Sequence, residues 1–215
     1  NNSQQSAAEF GLDVAANAIE DFSKRYSPYP YTEFDIVSTP TLAGGIEYPG
    51  MIAITDHIIS IDNHYLEVVI AHEVGHQWFY NLVGNDQLDD PWLDESLTQF
   101  ATLQYYIDEH GQTGGNGFRQ ELENNWSSIG NTDIPVGLPV RDYTDAEYVA
   151  IVYGRGGLFF EALLREMGEK NFDAFLKEYV KTNSWDIATP EKLQAQAEQS
   201  CGCNLTLLFE KWVFP

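Results

Sequence analysis

The sequence predicts an α+β fold, with a small strand-containing lobe over about residues 1–62 and a mainly helical lobe over about residues 63–215. Two observations carry this reading. Short runs rich in Ile, Val and Phe that read as strands lie early in the chain, at Phe34 to Ser38 and Met51 to Thr55. From Asn63 onward, apolar residues recur at helical spacing. No repeat or low-complexity tract interrupts this order.

The elements follow in sequence. Residues 5–26 read as a helix with Phe10, Ala15, Ile19 and Phe22 on one face, stopped by Ser27-Pro28-Tyr29-Pro30-Tyr31. Between the two strand runs, Ala43 to Gly50 reads as an edge strand ending in a turn, because Pro49 lacks a ladder donor. Leu66, Val69, Ile70, Val74, Trp78, Phe79 and Leu82 predict an amphipathic helix from about Asn63 to Val83. A polar loop closed by Pro91 leads to a second helix over about Trp92 to Asp108. Gly111 to Gly117 lacks the Gly-Lys-Ser/Thr ending of a phosphate loop, so a flexible connector is expected there. A short helix, an irregular stretch at 129–143, and a long helix from about Asp145 to Met167 should follow. Three shorter helices are expected near 171–182, 190–199 and 204–213.

Composition narrows the function. Apolar residues make up 43% of the 215, which suits a packed domain of a size that needs no staples. No run of 18 apolar residues occurs, so this segment should not insert in a membrane. The balance of 33 Asp+Glu against 11 Lys+Arg, net charge -22, argues against nucleic-acid and anionic-lipid partners. Solubility is the ordinary reason for such a surface, but its field also draws metal ions and peptides with a free amino terminus. Cys201 and Cys203, one residue apart, either close a small ring or stay free thiols, and they do not suit a zinc site alone. The chain opens on Asn1-Asn2-Ser3-Gln4-Gln5 without a Met, reads as a piece of something longer, and assigns no compartment.

The chemistry centres on His72-Glu73-Val74-Gly75-His76. On a helix, positions four apart lie about 40° apart, so two imidazoles can converge on one ion. Glu73 lies about 100° round from His72, near the ion without being a ligand, where a general base for water belongs. A catalytic zinc needs a third protein ligand and an open position. Glu95, in Trp92-Leu93-Asp94-Glu95-Ser96, lies far enough along the chain for one helix to finish and a second to pack against it. Asp94 is its competitor but should face another way.

These motifs resemble the aminopeptidase N-like zinc peptidases of the gluzincin type, HExxH followed after eighteen residues by Glu. His72 through Val83 is similar to that family's HExxHQWFxNLV stretch, and Trp92 through Ser96 to its WLNE segment. Gly44-Gly45-Ile46-Glu47-Tyr48 resembles its GAMEN motif, with the Ala, Met and Asn replaced and the glutamate kept. Tyr148 and Tyr153-Gly154-Arg155-Gly156 resemble its downstream tyrosine pair and basic-Gly step.

The resemblance covers roughly residues 5–214 and implies a thermolysin-like catalytic fold with a small, twisted mixed sheet. It implies one Zn²⁺ on His72, His76 and Glu95, with Glu73 as catalytic base and Tyr153 as oxyanion stabiliser. Glu47 would bind the peptide's amino group, Gly44 and Gly45 would leave room for substrate backbone, and Tyr148 would line the pocket. It also implies partner domains, a β-domain before and a helical domain after, that lie outside this sequence. The expected reaction is removal of amino-terminal residues from peptides. A zinc endopeptidase with an open cleft and a non-catalytic peptide-binding scaffold remain as alternatives. A purely structural zinc site is disfavoured, since such sites usually take four Cys-rich ligands.

Overall fold

Helix α1 (Asn2–Arg25) buries Ala7, Val14, Ala15, Ala18 and Phe22, the stripe that a 3.6-residue period brings to one face. Lys24 and Arg25 in its last turn suit the negative end of the helix dipole. The structure is a computed structural model that describes residues 2–58 and 63–214. The lobe boundary expected near residue 62 falls outside those residues.

Three strands follow α1: β1 (Asp35–Thr39), β2 (Gly45–Tyr48) and β3 (Met51–Thr55). Their order is β1-β3-β2, with β1 parallel and β2 antiparallel to β3, so the sheet is mixed. β2 is an edge strand, as expected, and Tyr48 pairs with Met51 across a two-residue turn. Pro49 presets the first turn residue, and Gly50, at φ 74°, takes the left-handed position that glycine tolerates. Gln77 clamps this turn. Its Oε1 accepts from Gly50 N at 2.9 Å, and its Nε2 donates to Tyr48 O at 3.0 Å.

Helix α2 (Asn63–Gly75) ends eight residues before the expected Val83 and is buried on nearly every side over its last two turns, rather than amphipathic. Trp78, Phe79 and Leu82 continue the helical period in sequence, yet they pack from a turn. Trp78 meets Phe22 edge-on at 5.8 Å, and its Nε1 donates to Ser27 O at 3.0 Å. Tyr80, at φ 119°, reverses the chain. The two-residue strands β4 (Val83–Gly84) and β5 (Asp186–Ile187) then pair in parallel, a contact too short to show in a sequence pattern.

A 3-10 turn (Pro91–Leu93) leads into α3 (Glu95–Ser127). The flexible connector expected at 111–117 is instead helical, apart from Gly111 at φ 65° and ψ -169°, which kinks α3. Side chains on Gly114 and Gly115 would strike His110 and Ile107, so glycine here permits a tight bend rather than a loose loop. Residues 129–143 are irregular, with a 3-10 turn at Val140–Asp142.

The long helix expected from Asp145 is three pieces run together: α4 (Asp145–Tyr148), a π-helical stretch (Val149–Arg155) and α5 (Gly156–Met167). Thr144 and Glu147 form a capping box at its start. α6 (Glu169–Asn183), β5, α7 (Pro190–Cys201) and α8 (Thr206–Trp212) complete the chain, and Cys201 is joined to Cys203 by a disulfide. No helix among the described residues is long and apolar enough to cross a membrane.

Arg155 pins the carboxy-terminal helices. Its side chain is buried, donates to Ile134 O, Trp212 O and Lys211 O, pairs with Asp133, and lies 4.8 Å over the Trp212 ring. Arg155→Ala strips donors from three carbonyls. We expect a stability loss of about 3–5 kcal/mol and a Tm lower on the order of 10 °C by calorimetry.

Candidate metal centre

Close crossing of α2 and α3 builds the site. Gly75 faces α3, and a Cβ there would stand 2.8 Å from Thr98 Cγ2, so glycine lets the two helices approach. That approach brings Glu95, in the first turn of α3, onto the histidines of α2. His76 lies one residue past α2, but its N–H still bonds His72 O at 3.3 Å, which keeps the i, i+4 relation.

The three ligand-type atoms converge. His72 Nε2 lies 3.1 Å from His76 Nε2 and 3.1 Å from Glu95 Oε2, and His76 Nε2 lies 3.4 Å from the same oxygen. Tetrahedral zinc with bonds of about 2.0–2.1 Å sets its ligand atoms about 3.3 Å apart. The residues present therefore fit a zinc ion. His76 Nδ1 donates to Phe79 O at 3.0 Å, which leaves Nε2 as the ligating lone pair. Thr98 Oγ1 is 3.3 Å from that same Nδ1.

The electrostatics also call for a cation. Burial pushes the His72 pKa down. Burial acts the same way on His76, but the Glu95 hydrogen bond and the charges of Glu95, Glu73 and Glu47 outweigh it and pull its pKa up to about 10. Burial alone would raise Glu95, yet hydrogen bonds from both histidines hold it well below the usual carboxylate range. Without a metal, the cluster keeps a proton on His76. With one, that charge is supplied by the ion.

Glu73 is buried, its Oε2 has no hydrogen-bond partner, and desolvation raises its pKa to about 8. With Glu47 and His76 it forms a second group of ligand-type atoms, all within 4.8 Å of one another. Asp94 stands apart from both groups. Its Oδ1 caps α3 by accepting from Glu95 N at 2.9 Å, and burial raises its pKa.

A cavity of about 640 Å³ opens on this cluster, walled by Gly44, Gly45, Glu47, Tyr148 and Tyr153 among others. The Tyr153 ring lies 5.8 Å from His72 and 5.7 Å from Tyr148. Tyr153 sits in the π-helical stretch, a local bulge that re-aims side chains. Gly154 allows that stretch to lie on α3, since a Cβ there would come 2.9 Å from Leu122 O, and Gly156 does the same for the start of α5, where a Cβ would strike Ser96. Desolvation and the nearby Glu95 raise Tyr153 well above its ordinary pKa, so its hydroxyl stays a proton donor across the working range.

Every residue expected at the site from sequence is brought to this one cavity. Gly45 has an added role, because a Cβ there would overlap the Glu73 carboxylate. We expect Gly45→Ala to displace Glu73, lowering turnover by about 10²-fold and stability by about 1–3 kcal/mol. Steady-state kinetics and a thermal melt check both. Sequence reasoning passed over Thr98 and Gln87 and gave Gln77 no structural role, because their contacts with His76, Glu47 and the Tyr48–Gly50 turn are long-range and leave no periodic trace.

The peptidase family M1 domain matches residues 10–212, nearly the whole chain. Aminopeptidase M1-A of Oryza sativa subsp. japonica is 27% identical over 95% of this chain and 25% of its own length. Aminopeptidase N of Lactococcus lactis subsp. cremoris (strain MG1363) is 26% identical over 97% of this chain and 27% of its own. The crystal structure of an M1 zinc metallopeptidase from Deinococcus radiodurans superposes with a TM-score of 0.75 at 23% identity, covering 94% of this chain and 43% of that one. Yeast LTA4 hydrolase in complex with bestatin gives 0.77 at 21% identity, covering 93% and 34%. The chain thus spans about a quarter of the length of the curated relatives it matches. With the family match running almost end to end, the chain belongs to peptidase family M1.

Proposed function

We propose that residues 1–215 act as a single catalytic domain of thermolysin-like type that removes amino-terminal residues from peptides with one zinc ion. The observation that supports this most strongly is the convergence of His72, His76 and Glu95 at 3.1–3.4 Å, with Glu73 and Glu47 facing the same cavity. Bound zinc would act as a Lewis acid toward water and the substrate carbonyl. Glu73 takes the proton of the attacking water and passes it to the leaving amine, a task its buried carboxylate can perform from beside the histidines without being one of the three ligands. The Tyr153 hydroxyl donates to the oxygen on which charge develops. Glu47 pairs with the substrate's ammonium group, and Tyr148 borders the pocket that receives the first side chain.

The test is hydrolysis of short fluorogenic peptides, each with a free and an acetylated amino terminus and each with a zinc-chelated control. Chelator-sensitive cleavage confined to the free-amine set is expected. Equal cleavage of both sets would move the chain to an endopeptidase, and zinc-loaded protein that cleaves neither would make it a peptide-binding scaffold.

A further inference from the structure

Glu47 is held from behind. Gln87, in the loop between β4 and α3, donates from Nε2 to Glu47 Oε1 at 3.0 Å and to Asp94 Oδ2 at 3.1 Å. One amide nitrogen carries two N–H groups, so it can serve both carboxylates at once. Asp94 is a fixed post for this bridge, being buried and bound through Oδ1 to Glu95 N. A run of hydrogen bonds therefore links the first turn of α3, which carries Glu95, to the edge strand that carries Glu47. Gln87 does not itself wall the cavity.

The residue type matters as much as the geometry. Two carboxylates on neighbouring elements repel, and a bridge must hold both. A Lys or Arg there would do so, but it would neutralise Glu47 and compete with a substrate ammonium for it. A neutral amide holds the pair and leaves the negative charge of Glu47 whole.

We infer that Gln87 is a positioning residue for recognition of the peptide amino terminus, aiming Glu47 at the cavity by bridging it to Asp94. This rests on the reading of Glu47 as the amine anchor.

Calorimetric binding of Tyr-Ser-Ala and of its N-acetyl form separates the two ideas. The zinc-loaded protein carries Glu73→Gln throughout, so that the peptides survive. Gln87→Met keeps the length and packing of the side chain and removes its donors. It should weaken the free-amine peptide about tenfold, the scale of one charge-assisted hydrogen bond, and leave the acetylated peptide unchanged. Added to Glu47→Ala, it should have no further effect.

If Gln87→Met weakens both peptides alike, or still acts when Glu47 is gone, its role is structural and the inference falls. The inference alone also falls if Glu47→Ala abolishes the preference for the free amine while Gln87→Met leaves it intact. If the preference is missing at the outset, or survives Glu47→Ala, the anchor reading falls and takes the inference with it.

Discussion

Glu73→Gln should leave zinc content at the wild-type level and cut turnover by about 10³-fold. The side chain is not among the three atoms that meet at 3.1–3.4 Å, so its loss as a base should not release the ion. Gln fills the same buried space beside Gly45 but cannot accept a proton. Elemental analysis and steady-state kinetics on one preparation check both halves, and zinc lost along with activity would show that Glu73 is a ligand.

The same substitution has a pH signature in zinc-stripped protein. Burial raises Glu73 from 4.5 to about 8, so the folded state binds this proton more tightly than the unfolded chain does. Stability from this group is therefore full below about pH 4.5 and is lost as pH rises toward 8. Gln does not titrate. The melting advantage of metal-free Glu73→Gln over metal-free wild type should grow between pH 5 and 8, on the order of 3–5 kcal/mol in full.

Tyr153→Phe is expected to lower kcat by about 10²-fold with little change in KM. The ring lies against His72, and Phe keeps that packing. What is lost is the hydroxyl, a donor needed once charge gathers on the carbonyl oxygen. An equal rise in KM with kcat preserved would assign Tyr153 to ground-state binding instead.

The grouping of His72, His76 and Glu95 was legible because helical spacing is a local rule, and two helices joined by a short loop must pack together. The edge strand at Gly45–Tyr48 was legible from Pro49-Gly50, whose backbone preferences allow few conformations. Other features were not, for physical reasons. Trp78, Phe79 and Leu82 satisfy a helical period, but burial in the core, with Trp78 against Phe22 of α1, is equally served by a turn, and tertiary packing decided for the turn.

The glycines at 111–117 looked permissive, yet Gly114 and Gly115 are there for lack of volume at a bend. The π-helical stretch around Tyr153 depends on contacts with α3 that no window of sequence contains. Gln87 sits in a polar loop and reaches a residue 40 positions away, so its bridge is visible only in three dimensions.

The most direct test of the metal centre is an anomalous difference map from zinc-loaded crystals, collected on both sides of the zinc absorption edge. A single strong peak within bonding distance of His72 Nε2, His76 Nε2 and the Glu95 carboxylate, with one position left open, is the predicted result. A peak held by Glu47 and Glu73 instead, or none at saturating zinc, would contradict the account.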